Sequence, residues 1–145
     1  MQALSGIDIA DKIETAVPGS ILSSDEKGIL VYSKAIPGVM KFLKDTPQFD
    51  FNYLNSLTAV DYFDYFEVVY HLTSMKNKQS VTVKTRVNGR DNLEVPTVSN
   101  LWRGADYQER EVFDLLGIRF PGHMNLKRIA LWQSFEGHPL RKDFL

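Results

Sequence analysis

Residues 80–87 alternate Val81, Val83, Thr85 and Val87 with Thr82, Lys84 and Arg86. Successive strand side chains point to opposite faces, so this run buries one face and wets the other. Residues 66–73 (FEVVYHLT) are equally rich in strand formers, and Lys76-Asn77-Lys78 can turn one run back on the other. Two such runs require an antiparallel sheet, and its apolar face requires a second layer drawn from the flanking sequence.

Upstream, Ile9, Ala10, Ile13, Ala16 and Val17 recur at helical spacing over 5–17, and Pro18-Gly19 ends the run. Segments 20–24 and 29–33 flank Asp25-Glu26-Lys27-Gly28 and read as a hairpin. Pro37 occupies a first-turn position for a helix with Val39, Phe42 and Leu43 on its apolar face. Residues 49–60 are ambiguous. Phe51, Leu54 and Leu57 fit a helical turn, whereas 57–62 is rich in strand formers, so the expectation is a short helix or turn running into a strand. Residues 88–92 form a loop, and Pro96 ends extended structure.

Residues 104–116 form the last main helix, with Gly117 as its stop. At about 100° per residue, Ala105, Val112, Phe113, Leu115 and Leu116 share one face, and Tyr107, Arg110, Glu111 and Asp114 the other. Glu109 breaks the pattern by falling in the middle of the apolar face. A buried carboxylate must meet a cation or a cluster of donors such as a tryptophan N–H. It could serve as a general acid or base with a shifted pKa. A structural ion pair that pins the downstream chain to the helix fits better, because no second catalytic group stands at a readable spacing. Candidate cations are Arg103, Arg119, Lys127, Arg128, Arg141 and Lys142. Charge supports such docking: residues 106–114 hold four acids and one arginine, and residues 119–142 hold five cations and one acid.

The tail after Gly117 is punctuated by Pro121-Gly122 and Gly137-His138-Pro139. Phe120, Leu131, Trp132, Phe135 and Phe144 anchor it without regular periodicity, so it is expected to wrap over the platform or over another protein. His123 and His138 stand fifteen residues apart in loops, and His71 lies in a strand. That spacing does not match closely spaced metal ligands on a helix, and histidines packed in turns are preferred. Arg141-Lys142-Asp143 reads as a compact ion-pair cluster.

The resulting expectation is an α+β fold: a small, mostly antiparallel sheet of about four strands, three main helices and an irregular basic C-terminal tail. One domain is expected over 1–145, with an α+β platform at 1–98 and the helix and wrapping tail at 99–145. The chain has no cysteine, which excludes thiolate metal sites, cysteine-ligated clusters and a cysteine nucleophile. Net charge is −1, so bulk charge does not point to nucleic acid. The first residues lack a basic region followed by an apolar run, and no apolar run reaches the ~20 residues that span a bilayer, so direct membrane insertion is not expected.

Glu109-Arg110-Glu111, Phe113-Asp114-Leu115-Leu116-Gly117-Ile118, Phe120 and Gly122-His123 resemble the signature of the C-type subunit of NADH:quinone oxidoreductase, the 30-kDa subunit family of respiratory complex I. Leu126-Lys127-Arg128-Ile129 and Phe135-Glu136-Gly137-His138-Pro139-Leu140-Arg141-Lys142-Asp143-Phe144 resemble its remainder. Upstream, Thr58-Ala59-Val60-Asp61-Tyr62, Phe66-Glu67-Val68-Val69-Tyr70-His71-Leu72 and Val95-Pro96-Thr97-Val98 are similar too. The resemblance implies a noncatalytic structural subunit in the quinone module of the peripheral arm, on the cytoplasmic side of the membrane, in a complex coupling electron transfer to quinone with proton translocation. It implies no cofactor in this chain; iron–sulfur clusters, FMN and quinone belong to partner subunits. The implied partners are the hydrogenase-like D-type subunit and the iron–sulfur B-type subunit of the same complex. Glu109 with Arg128 is the expected structural ion pair. Arg110, Glu111, His138, Arg141, Lys142 and Asp143 are the expected tail-anchoring and partner-docking residues. Met124 stands where the family usually has proline, and the chain stops at Leu145 where relatives commonly continue. Competing readings are a subunit of a membrane-bound energy-converting hydrogenase and a free-standing metal-dependent hydrolase using His123 and His138.

Overall fold

The computed structural model describes residues 2–89, 92–124, 138 and 141. Among them the order is β1 (Gln2–Ala3), α1 (Gly6–Ala16), β2 (Ile21–Asp25), β3 (Gly28–Val31), α2 (Ile36–Asp45), β4 (Tyr53–Asp61), β5 (Tyr65–Ser74), β6 (Gln79–Asn88) and α3 (Gly104–Leu116). The fold is α+β; among the described residues it has three α-helices, and its sheet has six strands rather than about four. The strands run β2-β3-β6-β5-β4, with β1 beside β6. β2–β3, β4–β5 and β5–β6 pair antiparallel, whereas β3 and β1 both run parallel to β6. Those parallel pairings join segments far apart in the chain, so no hairpin signal announces them.

Residues 49–60 resolve in favour of strand: β4 occupies Tyr53–Asp61, with a register shift between Leu54 and Ser56. The helix-like spacing of Phe51, Leu54 and Leu57 arises because that irregularity breaks the period of two. The inner face of β5 and β6 carries Phe66, Val68, Tyr70, Leu72, Val81, Val83 and Val87. Ile9 and Ile13 of α1, and Ile36, Val39, Met40 and Leu43 of α2, complete that core. At about 25 cal/mol per Å² of apolar surface removed from water, burying each such side chain favours the fold by about 1.5–3 kcal/mol before entropy is counted. Gly6 makes the α1–β3 approach possible: a Cβ there would lie 1.9 Å from the Gly28 carbonyl oxygen.

After β6 the chain builds a small crossover around α3. Residues 93–97 and 119–121 run side by side: Arg119 N–H donates to Leu93 O at 2.8 Å, Val95 N–H to Arg119 O at 2.9 Å and Thr97 N–H to Pro121 O at 2.9 Å. Helix α3 lies between these segments in sequence and packs on β4. Trp102 fixes its entrance by donating Nε1–H to the Phe51 carbonyl at 3.1 Å. Gly117 ends it in the left-handed region at φ 80°, as its place after the apolar stripe predicts.

Candidate functional site

The crossover places three polar layers against α3. The innermost is Glu109, with 0% exposure among Ala105, Val112 and Leu116. Thr97 Oγ1 is hydrogen-bonded to Glu109 Oε1, and Val98 N–H donates to Oε2 at 2.8 Å. The sequence reading allowed a tryptophan N–H as a donor to this carboxyl, and the Trp102 N–H is committed to Phe51 instead. Burial pushes the Glu109 carboxyl up from 4.5 to about 7; the bonds from Thr97 and Val98 and the nearby His123 oppose the rise, and Asp106 adds to it. Tyr70 faces the same pocket, and burial, then the Glu109 charge, raise its phenol well above the ordinary value.

Thr97 connects this carboxyl to a chain of hydroxyls. Its Oγ1 lies 2.8 Å from Ser99 Oγ and accepts Ser99 N–H at 3.0 Å. A hydroxyl has one proton to donate. When Glu109 is ionised, Thr97 donates to it. When Glu109 is protonated, its O–H can donate to Thr97, which then donates to Ser99. Both states keep the hydrogen bonds satisfied.

The second layer is His123, whose side chain is 1% exposed. Its Nε2 lies 3.1 Å from the Asp106 carbonyl, 3.2 Å from Asp106 Oδ1 and 4.0 Å from Glu109 Oε1. It thereby ties the chain after α3 to the first turn of the helix, where Asp106 also suits the helix dipole.

The third layer closes the other end of α3. The last carbonyls of a helix have no partner within it. His138 Nδ1 lies 2.9 Å from the Asp114 carbonyl, and Arg141 Nε donates to the Leu116 carbonyl at 2.5 Å. Arg141 also lies 5.3 Å over the Phe66 ring, and its backbone N–H donates to His138 O at 3.1 Å. Gly117 is required here: a Cβ would stand 2.7 Å from both the Arg141 guanidinium and the His138 ring.

The remaining sequence-derived candidates scatter. Glu111 is exposed and Arg110 half-buried. Asp114, expected on the wet face, is fully buried. The helical projection assumed that one side of α3 faces water, whereas the returning chain covers a second side. Arg128, Lys142 and Asp143 lie outside the described residues, so the expected Glu109–Arg128 pair lies outside them too. His71 pairs with Thr82 on the exposed sheet face at 3.1 Å. His123 and His138 bond opposite ends of α3, and among the described residues no group of three metal-ligating side chains assembles. Thr97, the Val98 N–H and Gln108 escaped sequence reasoning. Gln108 Oε1 accepts the Leu57 N–H at 2.6 Å, joining α3 to β4. A glutamine at an exposed helical position carries no signal of that bond.

A carboxyl sealed from solvent cannot touch a substrate. Glu109 can fasten α3 to the 97–98 segment and exchange a proton with its surroundings. His123, His138 and Arg141 act as clamps on helix backbone.

Known proteins resemble this chain over most of its length. A family model described as respiratory-chain NADH dehydrogenase, 30 Kd subunit, matches residues 29–145. The C-type subunit of NADH-quinone oxidoreductase from Roseiflexus sp. (strain RS-1) is 42% identical over 97% of this chain and 84% of its own length. The C/D-type subunit of NADH-quinone oxidoreductase from Sulfurihydrogenibium sp. (strain YO3AOP1) is 40% identical over 83% of this chain, which spans 22% of that longer protein. A chain in the solved structure of the membrane-bound sulfane sulfur reductase, an archaeal respiratory membrane complex, superposes with a TM-score of 0.76 at 27% identity, covering 96% of this chain and 85% of its own.

Proposed function

This chain belongs to the family of the 30-kDa subunit of respiratory-chain NADH dehydrogenase, and on that premise we propose that it is a noncatalytic, positioning subunit of the quinone module in the peripheral arm. In this reading it binds no cofactor. FMN, iron–sulfur clusters and quinone sit in neighbouring subunits, and the complex couples electron transfer to quinone with proton translocation. The chain meets the membrane only through those partners, on the cytoplasmic side. Among the described residues no helix is long and apolar enough to cross a membrane.

The observation that carries the reading is where the polar signature groups point. Glu109, His123, His138 and Arg141 bond this chain's own backbone and hydroxyls at α3 rather than converging on an open cavity. Such groups build a rigid shape, and a rigid shape is what a positioning subunit supplies. The partner proposed first is the hydrogenase-like D-type subunit, because a relative named C/D carries a region like this one within a longer polypeptide. The iron–sulfur B-type subunit is proposed as the next neighbour.

Co-expression with the D-type and B-type subunits, followed by size-exclusion chromatography, tests this. A stable ternary complex in which flavin and iron absorbance stay with other chains is expected. A monomer that ignores both partners, or stoichiometric metal on this chain alone, would overturn it. A second reading, an assembly with an electron donor other than NADH, is favoured by the likeness to the sulfane sulfur reductase chain. Purification of the native complex decides between them: NADH-oxidising subunits support the first reading, and hydrogenase-type subunits the second.

A further inference from the structure

His123 is where the chain returning from α3 meets two carboxyl groups at once. Asp106 and Glu109 stand one helical turn apart on α3 and so share a face. The ring nitrogen Nε2 lies 3.2 Å from Asp106 Oδ1 and 4.0 Å from Glu109 Oε1, with the Asp106 carbonyl at 3.1 Å. A ring nitrogen carries at most one proton, so it cannot serve all three oxygens. Asp106 Oδ1 is shut off from water and has no hydrogen-bond partner. The Asp106 side chain as a whole is nonetheless 49% exposed, whereas those of His123 and Glu109 are sealed. Asp106 thus stands between solvent and a buried pair that can exchange protons.

Among the described residues, the other elements around Glu109 set no second cation against it. Segment 97–99 contributes a hydroxyl and an N–H. Strand β4, which also packs on α3, adds no charge to its surroundings. Tyr70 of β5 faces it, but burial and then the Glu109 charge hold that phenol well above its ordinary value, so it stays neutral. With Glu109 protonated, His123 has one carboxylate to face; with Glu109 ionised, two carboxylates crowd one ring. Parting this junction lets water reach Glu109, and a solvated carboxyl gives up its proton readily. The closed form keeps the proton and the open form releases it, so rising pH favours opening. Burial raises the Glu109 carboxyl from 4.5 to about 7, and the change falls between those values. The contacts that must part are local: His123 on Asp106, and the Thr97 N–H on the Pro121 carbonyl at 2.9 Å.

We propose that Asp106, Glu109 and His123 form a pH-operated latch, which holds residues 119–123 against α3 in mild acid and lets them open locally as pH rises. The latch depends on this chain's own contacts and stands apart from the proposed partnership. Hydrogen–deuterium exchange of the full chain reads it at the amides of Thr97 and Val98, after correction for the intrinsic pH dependence of exchange. One proton released per opening changes the opening constant by up to about tenfold per pH unit. Protection at these two amides is therefore expected to fall roughly tenfold or more from about pH 5 to about pH 7. Low concentrations of urea should leave their exchange unchanged, because a local opening exposes little surface. Glu109→Gln cannot ionise and should hold the acid level of protection throughout. Carboxyl-carbon NMR follows Glu109 itself. Its titration midpoint is expected to move up in His123→Gln and down in Asp106→Asn, opposite shifts that a merely structural role for the two neighbours would not produce. Protection independent of pH, pH dependence retained in Glu109→Gln, or urea sensitivity equal to that of the β5 and β6 amides would overturn the latch. So would a wild-type Glu109 midpoint below about 5, a measurement that needs no variant to fold.

Discussion

Glu67 and Glu109 are buried almost equally, at 4% and 0% exposure, yet their surroundings differ. Glu67 lies on the outer face of β5, where Lys84 Nζ approaches to 3.7 Å and Arg86 Nε to 3.0 Å. Those two cations remain 41% and 43% exposed, and Arg86 lies 4.5 Å over the Tyr65 ring. Glu109 sits inside α3, held by a hydroxyl, a backbone N–H and a histidine at 4.0 Å. A carboxylate near the rim can recruit long side chains that keep their charged ends in water. One deeper in the fold relies on short donors close at hand, and its proton affinity rises.

The contrast can be broken by mutation. Glu109→Ala should have the largest effect: it leaves a cavity and strips the Val98 N–H of its acceptor, costing about 3–4 kcal/mol in chemical denaturation. An unchanged midpoint would show that Glu109 is no strut. Next comes pH. The folded carboxyl binds its proton more tightly than the unfolded chain, so the stability it contributes is fully present below 4.5 and lost as pH rises to about 7. The shift corresponds to about 3 kcal/mol at most. Gln can accept from Val98 and donate to Thr97, so Glu109→Gln should fold and lack this component. Parallel curves for the two proteins from pH 4 to 8 would remove the titration from the account. Thr97→Val, which deletes the hydroxyl link but keeps the shape, should cost about 1–2 kcal/mol and steepen the loss on the alkaline side. Glu67→Gln should matter least, about 1 kcal/mol or less, because its partners remain solvated. A larger loss there than at Glu109 would invert the comparison.

Periodicity carried much of this into view. Helix α3 and its glycine stop, strands β5 and β6, and the placement of Glu109 on the apolar face all follow from local spacing. The fate of Glu109 did not, because Thr97 and Val98 belong to a short irregular segment with no period to read. Asp114 was misplaced because a helical projection knows one buried face and cannot anticipate a second covering. β1, two residues long, and the parallel edge of β6 were hidden because their partners lie some fifty to eighty positions away in the chain.

The position of β6 also sets an order of assembly during synthesis. β1 and β3 both pair with it, so the first thirty or so residues leave the ribosome with no sheet to join. Only when Gln79–Asn88 has emerged can the amino-terminal hairpin and its helix find their place. Pairings so remote in sequence close slowly, because the loop entropy must be lost before the contacts are gained. This amino-terminal segment is then the part of the nascent chain exposed longest, and the part for which a chaperone has most to offer.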